Sequence, residues 1–190
     1  MPLTQAPAEV ASDRPSLRRR LSALDHVASA AVAERLPHPR SLTLPLGAIS
    51  LSANYGILWF LLAAIPWLSG GAHGRTVFVY VAGAVFATEL ITNVIKRLFD
   101  RRRPAQTGLD QLIPMPVSQS FPSSHASMGV VGWLALGSLY PEWRAGLIAL
   151  VAVLCFSRVY LRVHYVTDVV GGLLLGAALG VPYVLLVHVT

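Results

Sequence analysis

Eight residues of this 190-residue chain combine types that could do chemistry together: Lys96, Arg103, Ser123, Ser124, His125, Arg158, His164 and Asp168. Lysine and arginine offer donors but no acceptor, and the arginine fork matches the oxygens of a phosphate. A serine-rich turn at a helix N-terminus adds hydroxyls, backbone N–H groups and the positive end of the helix dipole, which together hold an anion. Lys96, Arg103, Ser123, Ser124 and Arg158 therefore describe a phosphate cradle. His164 and Asp168 stand four residues apart. A carboxylate on one ring nitrogen fixes the tautomer and leaves the other nitrogen free as a nucleophile. His125, from a different segment, could protonate a leaving oxygen. The set reads as phosphoryl transfer through a covalent phosphohistidine. No acidic or cysteine cluster points to a metal, and the cradle carries the positive charge that Mg²⁺ often supplies, so no cofactor is expected. Cys155 is the one cysteine, too few for an internal disulfide or a zinc site, and reads as a small buried residue.

The elements that must position these residues are read from hydropathy. Apolar residues make up 54% of the chain and charged ones 13%, where a soluble globule has about 25% charged. Mean hydropathy is +0.59. Several apolar runs approach the ~20 residues that cross a bilayer, so the expectation is an all-α polytopic membrane bundle of about five transmembrane helices. The spans are placed at about Leu42–Leu68, Thr76–Ile95, Ala126–Tyr140, Ala145–Tyr160 and Thr167–Val187. Residues 1–15 are expected to be disordered, and 16–40 to form an amphipathic surface helix and linker. Residues 41–190 form the transmembrane domain. The apolar positions of 16–36, Leu17, Leu21, Leu24, Val27, Ala28, Ala31 and Val32, suit a helix lying on the membrane with that face in lipid.

This alternation brings the eight residues to one face of the membrane, although they lie far apart in sequence. The same face carries all but two of the fifteen Lys and Arg residues, Arg75 and Arg144 being the exceptions. Positive loops stay inside, so the site is expected on the cytoplasmic face, unless residues 16–36 cross or re-enter the bilayer. The net charge of +6 sits at the ends of apolar segments, which favours lipid head groups or phosphorylated lipids over nucleic acid. Arg101 and Arg102 read as anchors of the second span. Glu89, Asn93 and Lys96 share one helical face, and an intramembrane acid usually has a partner. Gly172, Gly176 and Gly180 form a stripe that lets another helix approach, within the monomer in preference to a dimer seam. His26, His38, His73 and His188 match no pattern, and Ser127 reads as helix packing.

Taken in order, the polar residues resemble the three motifs of the type 2 phosphatidic acid phosphatase (PAP2) superfamily. Lys96, six residues and Arg103-Pro104 resemble the first. Pro122-Ser123-Ser124-His125 resembles the second, with Ser124 where glycine is usual; serine keeps the backbone N–H and adds a hydroxyl. Ser157-Arg158, five residues, His164, three residues and Asp168 resemble the third. The resemblance implies a PAP2/haloperoxidase-like core, metal-independent hydrolysis of a lipid phosphate in a bacterial cell membrane, and the roles given above. Three substrate classes stay open: phosphatidic acid or phosphatidylglycerol phosphate, a polyprenyl diphosphate such as undecaprenyl diphosphate, and a prenyl-linked sugar phosphate such as decaprenylphosphoryl-5-phosphoribose. The compact length and N-terminal arm resemble small actinobacterial members. A catalytically silent lipid-binding or scaffold protein is the non-enzymatic alternative, against which the intact His125, Arg158, His164 and Asp168 argue. Homo-oligomers are compatible with the sequence.

Overall fold

The computed structural model describes residues 17–71, 73–104, 113–114 and 117–189. The expected disorder of residues 1–15 and most of the loop 105–121 lie outside the described residues. Among these, all regular structure is helical: α1 Leu17–Arg35, α2 Arg40–Ser52, α3 Ile57–Leu68, α4 Gly74–Phe99, α5 Ser124–Leu139, α6 Arg144–Tyr160 and α7 Val166–Val189.

Three of the described helices are long and apolar enough to cross a bilayer: α4, α6 with its short lead-in turn, and α7. At 1.5 Å per residue, the 26 residues of α4 reach roughly 39 Å, more than the ~30 Å hydrocarbon layer. The expected first span is not a single rod. α2 and the segment Asn54–Leu68 meet at 57°. At the break, Tyr55 and Gly56 adopt left-handed φ values of 54° and 80°. Glycine tolerates that region, and an Asn-Tyr-Gly turn inside an apolar run is the local signal for it. α2 lies against the C-terminal end of α6, where Leu46 joins Tyr160, Leu161 and Val163 in a small buried cluster.

The expected third span, α5, is the axle of the bundle. Its 16 residues are buried without interruption from Ser124 to Gly132. Small residues on both sides of its seams make that enclosure possible. A Cβ on Gly132 would lie 2.3 Å from the Trp59 ring of α3. Along α7, Cβ atoms on Gly172 and Gly176 would lie 2.5 Å from the carbonyl oxygen of Ser123 and 2.6 Å from that of Ser127. The glycine stripe thus packs α7 on α5 inside the monomer, as the sequence reading preferred. The apolar centre gathers Trp59, Val81, Val85, Met128, Leu136 and Leu154, all nearly inaccessible.

α1 forms as a helix with two of its apolar side chains outward. Leu24 and Val27 are 65% and 67% exposed, while Asp25, Ser29 and Ala33 face inward. The helix is where the sequence puts it, but the stripe that packs on the bundle is polar, and the reason lies in what it touches.

Candidate active site

The site is assembled from one end of the bundle. Lys96 comes from the last turn of α4. Arg103 follows on the loop behind it, Ser124 and His125 open α5, and Arg158 ends α6. His164 stands on the connection to α7, and Asp168 lies in the first turn of α7. All eight sequence-expected residues are buried. A backbone bond from Ser123 N–H to the Asp168 carbonyl, 2.9 Å, ties the start of α5 to that of α7.

Arg103 fixes the state of His164. Its Nε donates to the Ser118 carbonyl at 2.8 Å, one terminal nitrogen to the Ser118 hydroxyl and Gln119 carbonyl, and the other to the Val163 carbonyl at 3.1 Å. That last nitrogen also lies 3.2 Å from His164 Nε2. A guanidinium can only donate, so Nε2 offers its lone pair and the ring proton sits on Nδ1. This is the tautomer a nucleophilic Nε2 requires. Nδ1 is 3.4 Å from Asp168 Oδ2, within ionic reach but outside good hydrogen-bond geometry. Burial, and next the cations Arg158, Arg103 and Lys96, hold the imidazole well below the usual histidine range, so it stays neutral. Burial also lowers Arg103, to about 10, with Asp168 opposing; it remains charged at neutral pH.

His125 occupies the other wall. Its Nε2 lies 2.9 Å from the Ser50 carbonyl, which can only accept, so Nε2 carries a proton and Nδ1 is the nitrogen left for chemistry. The Ser50 hydroxyl in turn accepts from Arg158. Ser50 lies in the last turn of the broken helix segment α2 and was not singled out in the sequence. Lys96 Nζ donates to the Ser124 hydroxyl at 2.7 Å, which places the ammonium at the α5 N-terminus. The Ser123 hydroxyl and Arg158 Nε are buried with no protein partner.

Lys96, Arg103, Ser124, His125, Arg158 and His164 line one cavity of about 490 Å³. Its outer wall is Leu51, Asn54 and Tyr55 at the helix break, with Glu89 and Asn93 along α4. Asn93 donates to Glu89 at 3.0 Å, giving the intramembrane acid the partner expected of it. Ser127 bonds the Ser123 carbonyl and accepts from Thr92, as packing requires. Among the remaining histidines, His38 stacks on Tyr160 and His26 meets Tyr165 edge-on. Arg101 corrects the sequence reading: it is no simple anchor, since it donates to Asp168 Oδ1 at 2.7 Å and pairs with Asp25. Among the described residues no group of three or more His, Cys, Asp or Glu is placed to hold a metal ion.

Against this geometry, the sequence profile described as the PAP2 superfamily matches residues 77–189. The decaprenylphosphoryl-5-phosphoribose phosphatase of Mycobacterium tuberculosis is 34% identical over 135 residues, covering 70% of this chain and 73% of that protein. The putative undecaprenyl-diphosphatase YbjG of Escherichia coli is 31% identical over 118 residues, 61% of this chain and 60% of its own. The crystal structure of a transmembrane PAP2-type phosphatidylglycerolphosphate phosphatase from Bacillus subtilis superposes with a TM-score of 0.70 at 23% identity. That match covers 89% of this chain and 87% of the other. The chain belongs to the PAP2 superfamily. It is a membrane-embedded phosphoric ester hydrolase of that family.

Proposed function

We propose that this PAP2 enzyme hydrolyses the phosphate of a polyprenyl-linked lipid, a prenyl-linked sugar phosphate such as decaprenylphosphoryl-5-phosphoribose, through a phosphohistidine and without a metal. The observation that carries the reading is the convergence of three cations, Lys96, Arg103 and Arg158, on the cavity that holds both His164 and His125. The names of the Mycobacterium tuberculosis and Escherichia coli relatives, both acting on prenyl lipids, support the substrate class.

The steps follow from the donors. The substrate phosphate enters between the cations, and its oxygens take the donors of Ser123 and Arg158 that have no protein partner. Arg103 transfers its contact from His164 Nε2 to a phosphate oxygen, which frees the lone pair. Nε2 attacks phosphorus as the bond to the lipid oxygen breaks, and His125, which takes a proton on Nδ1 once the phosphate anion offsets the surrounding cations, gives that proton to the leaving oxygen. The three cations balance the charge that spreads over the equatorial oxygens. Water, deprotonated by the now neutral His125, then attacks the phosphohistidine, releases inorganic phosphate and restores His164. The break at Asn54–Gly56 opens the cavity toward exposed Leu51 and Tyr55, a route by which an apolar tail reaches it from the leaflet.

The basic residues gathered around the site favour the cytoplasmic face. A cysteine placed at Gly108 that reacts with an impermeant maleimide from outside intact cells would reverse that assignment. Residues 41–190 act as the phosphatase domain on this reading.

The test is phosphate release by the purified protein in detergent with EDTA. The panel is a prenyl phosphoribose, a polyprenyl diphosphate, phosphatidylglycerol phosphate and phosphatidic acid, beside His164→Ala. Release led by the prenyl phosphoribose and abolished in His164→Ala is the expected result. Release confined to the diphosphate or the glycerolipids would overturn the substrate assignment, and release only after metal addition would overturn the metal-free mechanism.

A further inference from the structure

The polar stripe of α1 connects through Arg101 to Asp168, the carboxylate beside His164. Asp168 has two oxygens and three claims on them. Oδ2 accepts the Tyr165 N–H at 2.9 Å and stands 3.4 Å from His164 Nδ1. Oδ1 accepts from Arg101 at 2.7 Å. The other terminal nitrogen of Arg101 pairs with Asp25 of α1, and its guanidinium lies 4.2 Å from the centre of the Tyr165 ring. Asp25 also receives both the hydroxyl and the backbone N–H of Thr167, the N–H at 3.1 Å. Ser29 receives the Val166 N–H at 2.9 Å. The first N–H groups of a helix have no partner within it. Here the first two of α7 are capped from a helix more than a hundred residues earlier.

We infer that Arg101 and Asp25 are positioning residues for the Asp168–His164 pair, which makes α1 part of the phosphatase machinery as well as a surface helix. The inference rests on the histidine-phosphatase reading above. Both carboxylate side chains are buried, 2% exposed for Asp25 and none for Asp168, and Arg101 is the cation between them. Burial pushes the Asp25 carboxyl upward, but the bonds from Thr167 and Arg101 outweigh it and hold it below the usual carboxylate value. Leu24 and Val27 stay exposed, where lipid can cover them, while Asp25 and Ser29 face the bundle. They face it because they complete α7. Arg101 does not touch the cavity that holds the phosphate cradle; it acts on His164 only through the carboxylate it shares.

The direction of the electrostatic effect follows from the groups that face His164. Arg158, Arg103, Lys96 and His125 disfavour its protonated form, Asp168 favours it, and Arg101 weakens Asp168 by pairing with it. Replacing Arg101 by a neutral residue leaves Asp168 uncompensated, so the imidazolium gains stability and the acid limb of the pH–rate profile moves to higher pH.

The experiment compares Arg101→Gln, Arg101→Lys, Asp25→Asn and the Arg101→Gln/Asp25→Asn double variant with wild type, on whichever lipid wild type hydrolyses. His164→Ala is the control. Arg101→Gln is expected to lower kcat, by up to about a hundredfold, with little change in KM and an upward shift of the acid limb. Arg101→Lys recovers part of the loss, and Asp25→Asn adds little to Arg101→Gln because both act on one element. Folding is followed by thermal transition in detergent, and the partial recovery in Arg101→Lys separates positioning from unfolding. An active wild type with Arg101→Gln at full kcat and an unmoved acid limb overturns the inference alone. So does a loss in Asp25→Asn that adds fully to that of Arg101→Gln. A folded wild type inactive on every lipid overturns the phosphatase reading first and this inference with it.

Discussion

The two ends of the same helices obey opposite rules. At the site end, Lys96, Arg103, Arg158, His164 and Asp168 are all nearly inaccessible. At the far end, Arg75, Glu142 and Arg144 are exposed, and the connections are short turns, Ser69–His73 and Tyr140–Trp143. Buried charge is costly unless each group meets a partner. The site end meets that condition with cross-helix bonds: Lys96 to Ser124, Arg158 to Ser50, and Arg103 to His164 and the Ser118 carbonyl. At the far end Arg144 makes a bond to the nearby Gly137 carbonyl, at 2.7 Å, and water and head groups are available for the rest. The lesson is that one end spends packing freedom on a fixed charge array, while the other only has to turn the chain.

Substitutions at matched positions can break that comparison. The largest effect is expected at Arg158. Arg158→Lys removes the fork and the bond to Ser50, and kcat/KM for lipid phosphate should fall by about two to three orders of magnitude. Activity within a few-fold of wild type would show that the cation needs only charge, not geometry.

Next comes the seam that aligns the site. Gly176→Ala puts a Cβ within 2.6 Å of the Ser127 carbonyl oxygen, and should cost about 1–3 kcal/mol of stability, read from thermal unfolding in detergent. The matched change at Gly146 of α6 meets nothing within 4 Å, and should be neutral or stabilising by up to about 1 kcal/mol. Equal effects at the two glycines would deny the seam its role.

A smaller effect is expected in the pH profile. On the proposed mechanism His164 must be neutral to attack, and its surroundings hold it well below the ordinary histidine value of about 6.5. Protonation therefore silences it only at lower pH, and the acid limb of kcat/KM should lie below that value. A limb at or above it would assign the limiting proton to another group. The smallest effect is expected at the far end, where Arg144→Lys should change stability by no more than about 0.5 kcal/mol and leave turnover unaltered.

Much of the site was legible because residue type and alternation of spans carry it. Basic residues, serines and histidines at successive helix ends on one side must meet if the helices run antiparallel. The family motifs name the same residues. The glycine stripe was legible for a related reason: spacing by four puts three glycines on one face, and such a face needs a backbone against it. Ser50 was not legible. It is one serine among several in an apolar run, and it reaches His125 and Arg158 only because α2 ends beside them at a break. The Asn-Tyr-Gly signal could have found that break, but the run's length suggested one rod. Arg101 stood in a row of three arginines where position alone cannot tell an anchor from a partner of Asp168. Asp25 and Ser29 were hidden by the apolar positions of α1, whose periodicity says that one face is distinct but not which neighbour it meets.

The sequence by itself determined an all-helical, membrane-embedded PAP2 chain and the membership of its candidate site, because hydropathy and charge act locally and motif spacing is set along the chain. Only the tertiary structure decided the bend at Tyr55, the enclosure of α5, the tautomer of His164 and the inward turn of α1. Each of those depends on what lies opposite a residue in space, and that partner comes from a distant part of the chain.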